Sequence, residues 1–367
     1  MEKPVRILQI VPNMQMGGLE NFIMNIYRNI DKENIQFDFL VHYKEPKIFD
    51  DEIEKMGGRI YRFSLRNDNN IFKYIWKLNK FYKMNNYKII HCHMSSIGFV
   101  NFIIAKKNGI KIRIAHSHNN STDNTLKGKL KRIMILPYKY VSTVNFACSE
   151  SAGNFLYGKK KFEVIPNAID IKKFAYNVEQ RRKYRDMLNF SDDTFVVGHI
   201  GRFNIQKNHN FIIEIFEEIV KKVSNAKLVL IGEGELKQEI ENLVKSKGLV
   251  ENVLFLGNRK DVNNFYQAFD CFLFPSLFEG LGITLIEAQI AGLKCYTSKN
   301  VVAKETAITE NIYYLDLGGE ANEWAEKIIN EREYIRMDFS KKAYDAGFEI
   351  KQLANKLEKK YIMLNNI

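Results

Sequence analysis

Short apolar runs alternate with longer stretches of mixed polarity along almost the whole chain. Seven of these runs, Val5 to Val11, Phe37 to Val41, Arg59 to Tyr61, Ile89 to Cys92, Ile112 to Ala115, Asn145 to Cys148 and Phe162 to Ile165, read as strands. The stretches between them are long enough for crossover helices, so the strands are expected in one parallel sheet. Phe195 to Ile200, Lys227 to Ile231, Val253 to Leu256, Cys271 to Phe274 and Leu293 to Thr297 repeat the theme. Between the two series, Asp170 to Asp193 has no strand-like run and reads as a connector with one charged helix. The predicted fold is α/β, two doubly wound Rossmann-like domains. Ligands of such sheets bind at the carboxyl ends of strands, which predicts a cleft between the domains.

The chemistry concentrates where one apolar run ends. Pro275 stops the strand Asp270 to Phe274, a loop carries Glu279, Gly280, Leu281 and Gly282, and a helix from Ile283 to Ala291 ends at Gly292. A helix start directs free N–H groups at an anion, and the two glycines let that anion come close. Glu279 sits in the loop and Glu287 about two turns into the helix, so the two carboxylates have separate tasks. Arg202 and Lys207 flank the loop after Phe195 to Ile200, where a phosphate would sit. Two surface cations are the plainer reading. No D-x-D triplet occurs, however, so a departing diphosphate would need cations from the protein itself.

Five motifs stand in the order of one known family. They are Met16-Gly17-Gly18-Leu19-Glu20, Ile114-Ala115-His116-Ser117-His118, Val164-Ile165-Pro166-Asn167-Ala168-Ile169-Asp170, Gly201-Arg202 with Lys207-Asn208, and Glu279-Gly280-Leu281-Gly282 with Glu287-Ala288. In these the chain resembles the retaining glycosyltransferases of the GT-B fold, family 4, and among them the bacterial capsule and exopolysaccharide enzymes. Many relatives carry Pro where Thr284 and Lys294 stand, which leaves the donor sugar open.

The resemblance implies an acceptor-binding domain over residues 1–170, a nucleotide-sugar-binding domain over 171–350, and a C-terminal helix within 351–367 that crosses back to the first. It implies a hexose transferred from a UDP- or GDP-linked sugar, a co-substrate and not a cofactor, to a growing polysaccharide or a polyprenyl-diphosphate-linked glycan, without a metal. His118 and Glu279 are then the catalytic candidates. Gly17, Gly18, Arg202, Lys207, Arg259, Leu281, Gly282, Ile283 and Glu287 are the donor-binding ones. Within the same fold the alternative is a sugar-nucleotide epimerase, and a non-catalytic partner of another transferase is a further one.

Histidines offer a rival class. His91-Cys92-His93 and His116-Ser117-His118 place two H-x-H pairs at strand ends, where alternate residues face one way as metal ligands would. A metal-dependent hydrolase is the alternative they raise. No Asp or Glu lies between Asp68 and Asp123 to complete such a site.

Charge adds a partner. Residues 1–170 carry 27 basic and 15 acidic side chains, while the rest of the chain carries 28 of each, so the whole net charge of +12 sits in the first half. Asn70 to Met84 reads as an amphipathic helix with Ile71, Ile75, Leu78 and Phe81 on one face and Lys73, Lys77 and Lys80 on another. Lys127, Lys129, Lys131, Arg132 and Lys139 follow among Leu130, Ile133 and Ile135. Lysines on ordinary packing helices are the plainer account. Two such segments together point to an anionic membrane surface and not to nucleic acid. Four widely spaced cysteines and the lack of a signal peptide or ~20-residue apolar run predict a cytoplasmic protein, peripheral on the inner membrane face.

Overall fold

The computed structural model describes residues 3–15, 17–63, 70–95, 97–120 and 126–367, the side chains of 126–128 and 131 excepted. Met16 and the side chains of Lys127 and Lys131 therefore lie outside the described residues. The chain forms two compact units, residues 1–169 with 347–367, and residues 170–346.

In the first unit seven parallel strands, β1 (Val5–Val11), β2 (Ile35–Val41), β3 (Ile60–Arg62), β4 (Ile89–Cys92), β5 (Ile112–Ser117), β6 (Val144–Ala147) and β7 (Glu163–Val164), lie in the order β3-β2-β1-β4-β5-β6-β7. β2 is buried at every position, as expected of a strand covered on both faces, and its run of Ile, Phe, Leu and Val reflects that. The helix Ile350–Asn365 belongs to this unit. It turns Ile350, Leu353, Ala354, Leu357, Tyr361 and Leu364 inward at helical spacing and packs on the helix Gly18–Asn29, on β2 and on β4. The backbone of Ile169 meets that of Phe348 and Ile350, so the chain leaves and re-enters the unit at one point.

The second unit holds β8 (Phe195–Ile200), β9 (Ala226–Ile231), β10 (Val253–Phe255), β11 (Cys271–Phe274), β12 (Lys294–Ser298) and β13 (Ile312–Leu315), in the order β10-β9-β8-β11-β12-β13. Counting strands from the first of each sheet, the two orders match through the sixth strand, and the first sheet adds a seventh. In both, the order reverses between the first and fourth strand, and ligand crevices of doubly wound sheets lie at that point.

Three local expectations change. β13 was not among the predicted strands, although Ile312-Tyr313-Tyr314-Leu315 carries β-branched and aromatic residues; as an edge strand it is only half-buried. The connector contains two helices, Ile171–Phe174 and Val178–Met187, instead of one. In the helix Ile71–Met84 the buried face is Tyr74, Leu78, Phe81 and Tyr82, while Ile71, Phe72 and Trp76 are exposed. Tyr74 wins the inward place over Ile71 because 74, 78 and 81 fall on one stripe of the helix and its hydroxyl accepts a bond from buried Asn101.

Candidate active site

The loops after β8 and β11 meet at the reversal point of the second sheet. After β8 the chain enters a short turn, Ile205–Lys207, which Asn204 caps by accepting from the Lys207 N–H. Asn208 follows in the left-handed conformation, and its amide donates to the Pro275 carbonyl at 3.2 Å. The Leu277 N–H donates to the Gln206 carbonyl at 2.8 Å and the Gln206 amide to the Phe278 carbonyl at 2.9 Å. These cross-links hold Lys207 opposite Glu279. The ammonium is 2.5 Å from the Glu279 carboxylate and 4.4 Å from the centre of the Phe274 ring, and both charged side chains are nearly buried. Paired charges removed from water interact strongly with each other and with any anion admitted beside them.

Next to the pair the chain prepares a helix start. Gly282 has φ +74°, a conformation that a side chain disfavours, and it begins the helix Ile283–Ile290 without any side-chain cap. Leu281 is buried and its carbonyl accepts from the Thr306 hydroxyl, which fixes the loop from beneath. Ile283 is half-buried at the first helical position. Ser276 Oγ in the loop after β11, Thr284 Oγ1 in the first turn of the helix and Ser298 Oγ at the end of β12 are buried polar atoms with no partner in the protein.

Glu287 points back into the unit. It accepts from the Tyr266 hydroxyl at 2.7 Å, and desolvation lifts its carboxyl to a pKa of about 7, the tyrosine bond acting against that rise. Tyr266 was not legible as its partner, because the helix Val262–Ala268 reaches Glu287 only through the tertiary fold.

Other predicted residues lie apart from this pair. Arg202 is 68% exposed and bridges to Glu235, also exposed, at 3.0 Å. The Arg259 guanidinium is held by Asp261 through two bonds of 3.0 Å and lies over the Phe265 ring. The turn after β9 fits closely against the first loop. Gly232 has φ +145° and a Cβ there would stand 2.1 Å from the Gly201 carbonyl oxygen, so only glycine fits.

In the first unit the reversal point lies between β1 and β4, and it gathers all four histidines of the H-x-H pairs. His91 Nε2 lies 3.2 Å from His116 Nδ1, and His93 Nδ1 lies 2.9 Å from His118 Nε2. His91 Nδ1 meets the Tyr361 hydroxyl at 2.7 Å, and His93 Nε2 meets Gln9 Oε1 at 2.9 Å. The rings of His116 and His118 stack 4.2 Å apart, with Phe22 beside both. Burial drives all four pKa values down, to about 3 for His91 and His118, so the imidazoles are neutral. Gly17 and Gly18 begin the helix Gly18–Asn29 with no side-chain cap.

The metal reading meets this geometry directly. Nitrogens of His91, His93 and His116 lie within 4.8 Å of one another, close enough for a shared ion. The His91 and His116 rings are nearly parallel, at 5°, and their nearest nitrogens are 3.2 Å apart. That alignment suits an N–H···N bond.

Comparisons with known proteins bear on the family of the chain. Residues 16–173 match the family described as Glycosyltransferase Family 4, and residues 180–346 match the family described as Glycosyl transferases group 1. The chain is 32% identical to the putative glycosyltransferase EpsF of Bacillus subtilis, over 95% of each chain. It is 26% identical to the UDP-Gal:alpha-D-GlcNAc-diphosphoundecaprenol alpha-1,3-galactosyltransferase of Escherichia coli, over 80% of this chain and 78% of that one. Among solved structures, HepE of Anabaena in complex with UDP and glucose has a TM-score of 0.80 at 18% identity, over 98% of this chain and 100% of that one.

Proposed function

The chain belongs to the family 4 glycosyltransferases of the GT-B fold, and from that premise we propose that it is a retaining hexosyltransferase acting on a nucleoside-diphosphate sugar. Lys207 meeting Glu279 beside the bare helix start at Gly282 carries this reading. A diphosphate placed there would draw on the Lys207 ammonium and on the helix N–H groups, all fixed before charge develops on the leaving group. Glu279, released from Lys207, becomes an acceptor for a sugar hydroxyl. Glu287, a carboxylate with acceptor sites only, suits a ribose diol. Arg202 adds charge from the rim. His118 takes a hydroxyl of the transferred sugar or of the acceptor, and Gly17 and Gly18 pass beneath the diphosphate.

The acceptor we propose is a growing cell-surface polysaccharide or a polyprenyl-diphosphate-linked glycan. The names of two relatives support it, the galactosyltransferase above and the capsular polysaccharide biosynthesis glycosyltransferase CapH of Staphylococcus aureus. Such an acceptor is reached at a membrane. Among the described residues no helix is long and apolar enough to cross one. Contact would instead come from Phe72, Trp76, Leu130, Ile133 and Tyr140, all exposed, with Lys73, Lys80, Lys129 and Arg132 exposed among them.

One assay tests the mechanism: donor consumption by wild type, Lys207→Met and Arg202→Ala, each with and without EDTA. We expect turnover to survive the chelator. Lys207→Met should cost about a hundredfold or more, by analogy with the loss of one oxyanion donor, and Arg202→Ala less because Arg202 is exposed. Turnover that tolerates Lys207→Met but is lost to EDTA and restored by zinc would replace this mechanism with a metal-dependent one. Anomeric configuration of the product, read by NMR, decides retention.

A further inference from the structure

The four histidines form two hydrogen-bonded files, one of which starts from Gln9 and the other from Tyr361. Gln9 Oε1 accepts at 2.9 Å from His93 Nε2, which therefore carries a proton. A neutral imidazole has a single N–H, so His93 Nδ1 is a lone pair and its contact at 2.9 Å must be donated by His118 Nε2–H. The only tautomer left to His118 has a bare Nδ1, and that atom is buried with no partner in the protein.

The second file joins Tyr361, His91 and His116. The Tyr361 hydroxyl meets His91 Nδ1 at 2.7 Å and His91 Nε2 meets His116 Nδ1 at 3.2 Å, contacts whose direction depends on the tautomers. His116 Nε2, at the end of this file, is buried with no hydrogen-bond partner in the protein. The first file alone has a fixed direction, and the carbonyl oxygen of Gln9 sets it. A hydrocarbon in its place would not.

We propose that Gln9 is a positioning residue for transfer, which acts through His93 to hold His118 with Nδ1 unprotonated as the acceptor for a sugar hydroxyl. The tautomer follows from hydrogen bonds within the first unit alone; its use in transfer rests on the function proposed above. Neutrality of the whole network keeps the arrangement in place across the physiological pH range, since burial holds each imidazole well below its ordinary pKa.

Long-range ¹H–¹⁵N spectra of ¹⁵N-histidine-labelled full-length protein test it. We expect His93 and His118 protonated at Nε2 and bare at Nδ1. A proton on His118 Nδ1 in wild type overturns the proposal, whatever the enzyme's activity. For the use of that tautomer, Gln9→Met removes acceptor and donor at similar length, and Gln9→Glu, buried and therefore neutral, keeps one of each. Gln9→Met should mix the tautomers and lower kcat about two- to tenfold, the worth of one ordinary hydrogen bond. The KM for donor should hold, and Gln9→Glu should restore both spectrum and rate. Mixed tautomers with unchanged kcat would overturn the positioning role while leaving the transferase reading intact. A wild type with the expected spectrum that consumes no nucleotide sugar would sink the transferase reading, and with it the role of Gln9 in transfer.

Discussion

The two reversal points share a topology and differ in chemistry. In the second unit the junction of β8 and β11 holds a cation and a carboxylate 2.5 Å apart. In the first, the ends of β1, β4 and β5 hold four neutral imidazoles, an amide and a phenol, joined by bonds of 2.7 to 3.2 Å. A parallel sheet supplies the same crevice twice and leaves its use to a few side chains. Charge suits a site that must hold a diphosphate, because its interaction with developing charge is long-ranged and fixed in advance. A neutral network offers directed donors and acceptors and carries no net charge.

The sharpest way to break this comparison is acid. Each buried histidine has a folded pKa far below the ordinary value near 6.5, so the unfolded chain binds protons that the folded one refuses and stability falls as pH drops through 6.5. Between pH 7.5 and 5.5 the loss is about 1.4 kcal/mol for each such histidine. His42, His91, His93, His116 and His118 in the first unit and His199 and His209 in the second have pKa values lowered by burial. The first unit should therefore melt first on acidification. Trp76 belongs to the first unit and Trp324 to the second, so fluorescence of single-tryptophan variants reports each separately. Equal acid sensitivity of the two signals would remove the distinction.

A smaller effect probes the second site alone. Glu287→Ala should weaken nucleoside diphosphate binding by about 1.5–3 kcal/mol, the worth of hydrogen bonds to a charged acceptor. Unchanged affinity in calorimetry would take Glu287 out of the ribose site. Glu279→Gln should spare diphosphate affinity and depress turnover, and an equal loss of both would make Glu279 structural.

The Glu287 carboxyl near pH 7 gives a weaker prediction of opposite sign to the histidines. Its folded pKa is raised, so it opposes folding increasingly as pH climbs from about 4.5 to 7, and its ionised form, with acceptor sites only, is the one that suits the ribose diol. Nucleoside diphosphate affinity should rise by up to about tenfold from pH 6 to 8, and Glu287→Gln should remove that dependence beyond what phosphate ionisation contributes. The mildest test concerns the membrane. Replacing Lys73, Lys77, Lys80, Lys129, Lys131 and Arg132 by Ser should abolish salt-sensitive sedimentation with anionic liposomes while leaving the fold intact, since attraction of this kind is screened within about 8 Å at physiological ionic strength. Equal binding to neutral and anionic vesicles would refute an electrostatic contact.

Family and fold were legible in the sequence, because strands buried on both faces must be apolar throughout and helices between them must show one apolar stripe. Twelve of the strands were read from apolar runs, the partly exposed edge strands β3, β7 and β10 among them, while the half-buried edge strand β13 was missed although Ile312-Tyr313-Tyr314-Leu315 carries the same kind of run. The glycine loop, Lys207, Glu279 and Glu287 were legible for a related reason: a left-handed turn at Gly282 and a helix start leave local marks. Pairing was not. Nothing in the spacing says that Lys207 meets Glu279 while Arg202 turns to Glu235, that Tyr266 answers Glu287, or that Gln9 and Tyr361, 352 positions apart, bracket the histidines. Local backbone preference and burial pattern act over a few residues and are written into the chain. Partners of charged and polar side chains are chosen by whichever strand end or helix the packed sheet brings within about 3 Å, and only the tertiary structure makes that choice.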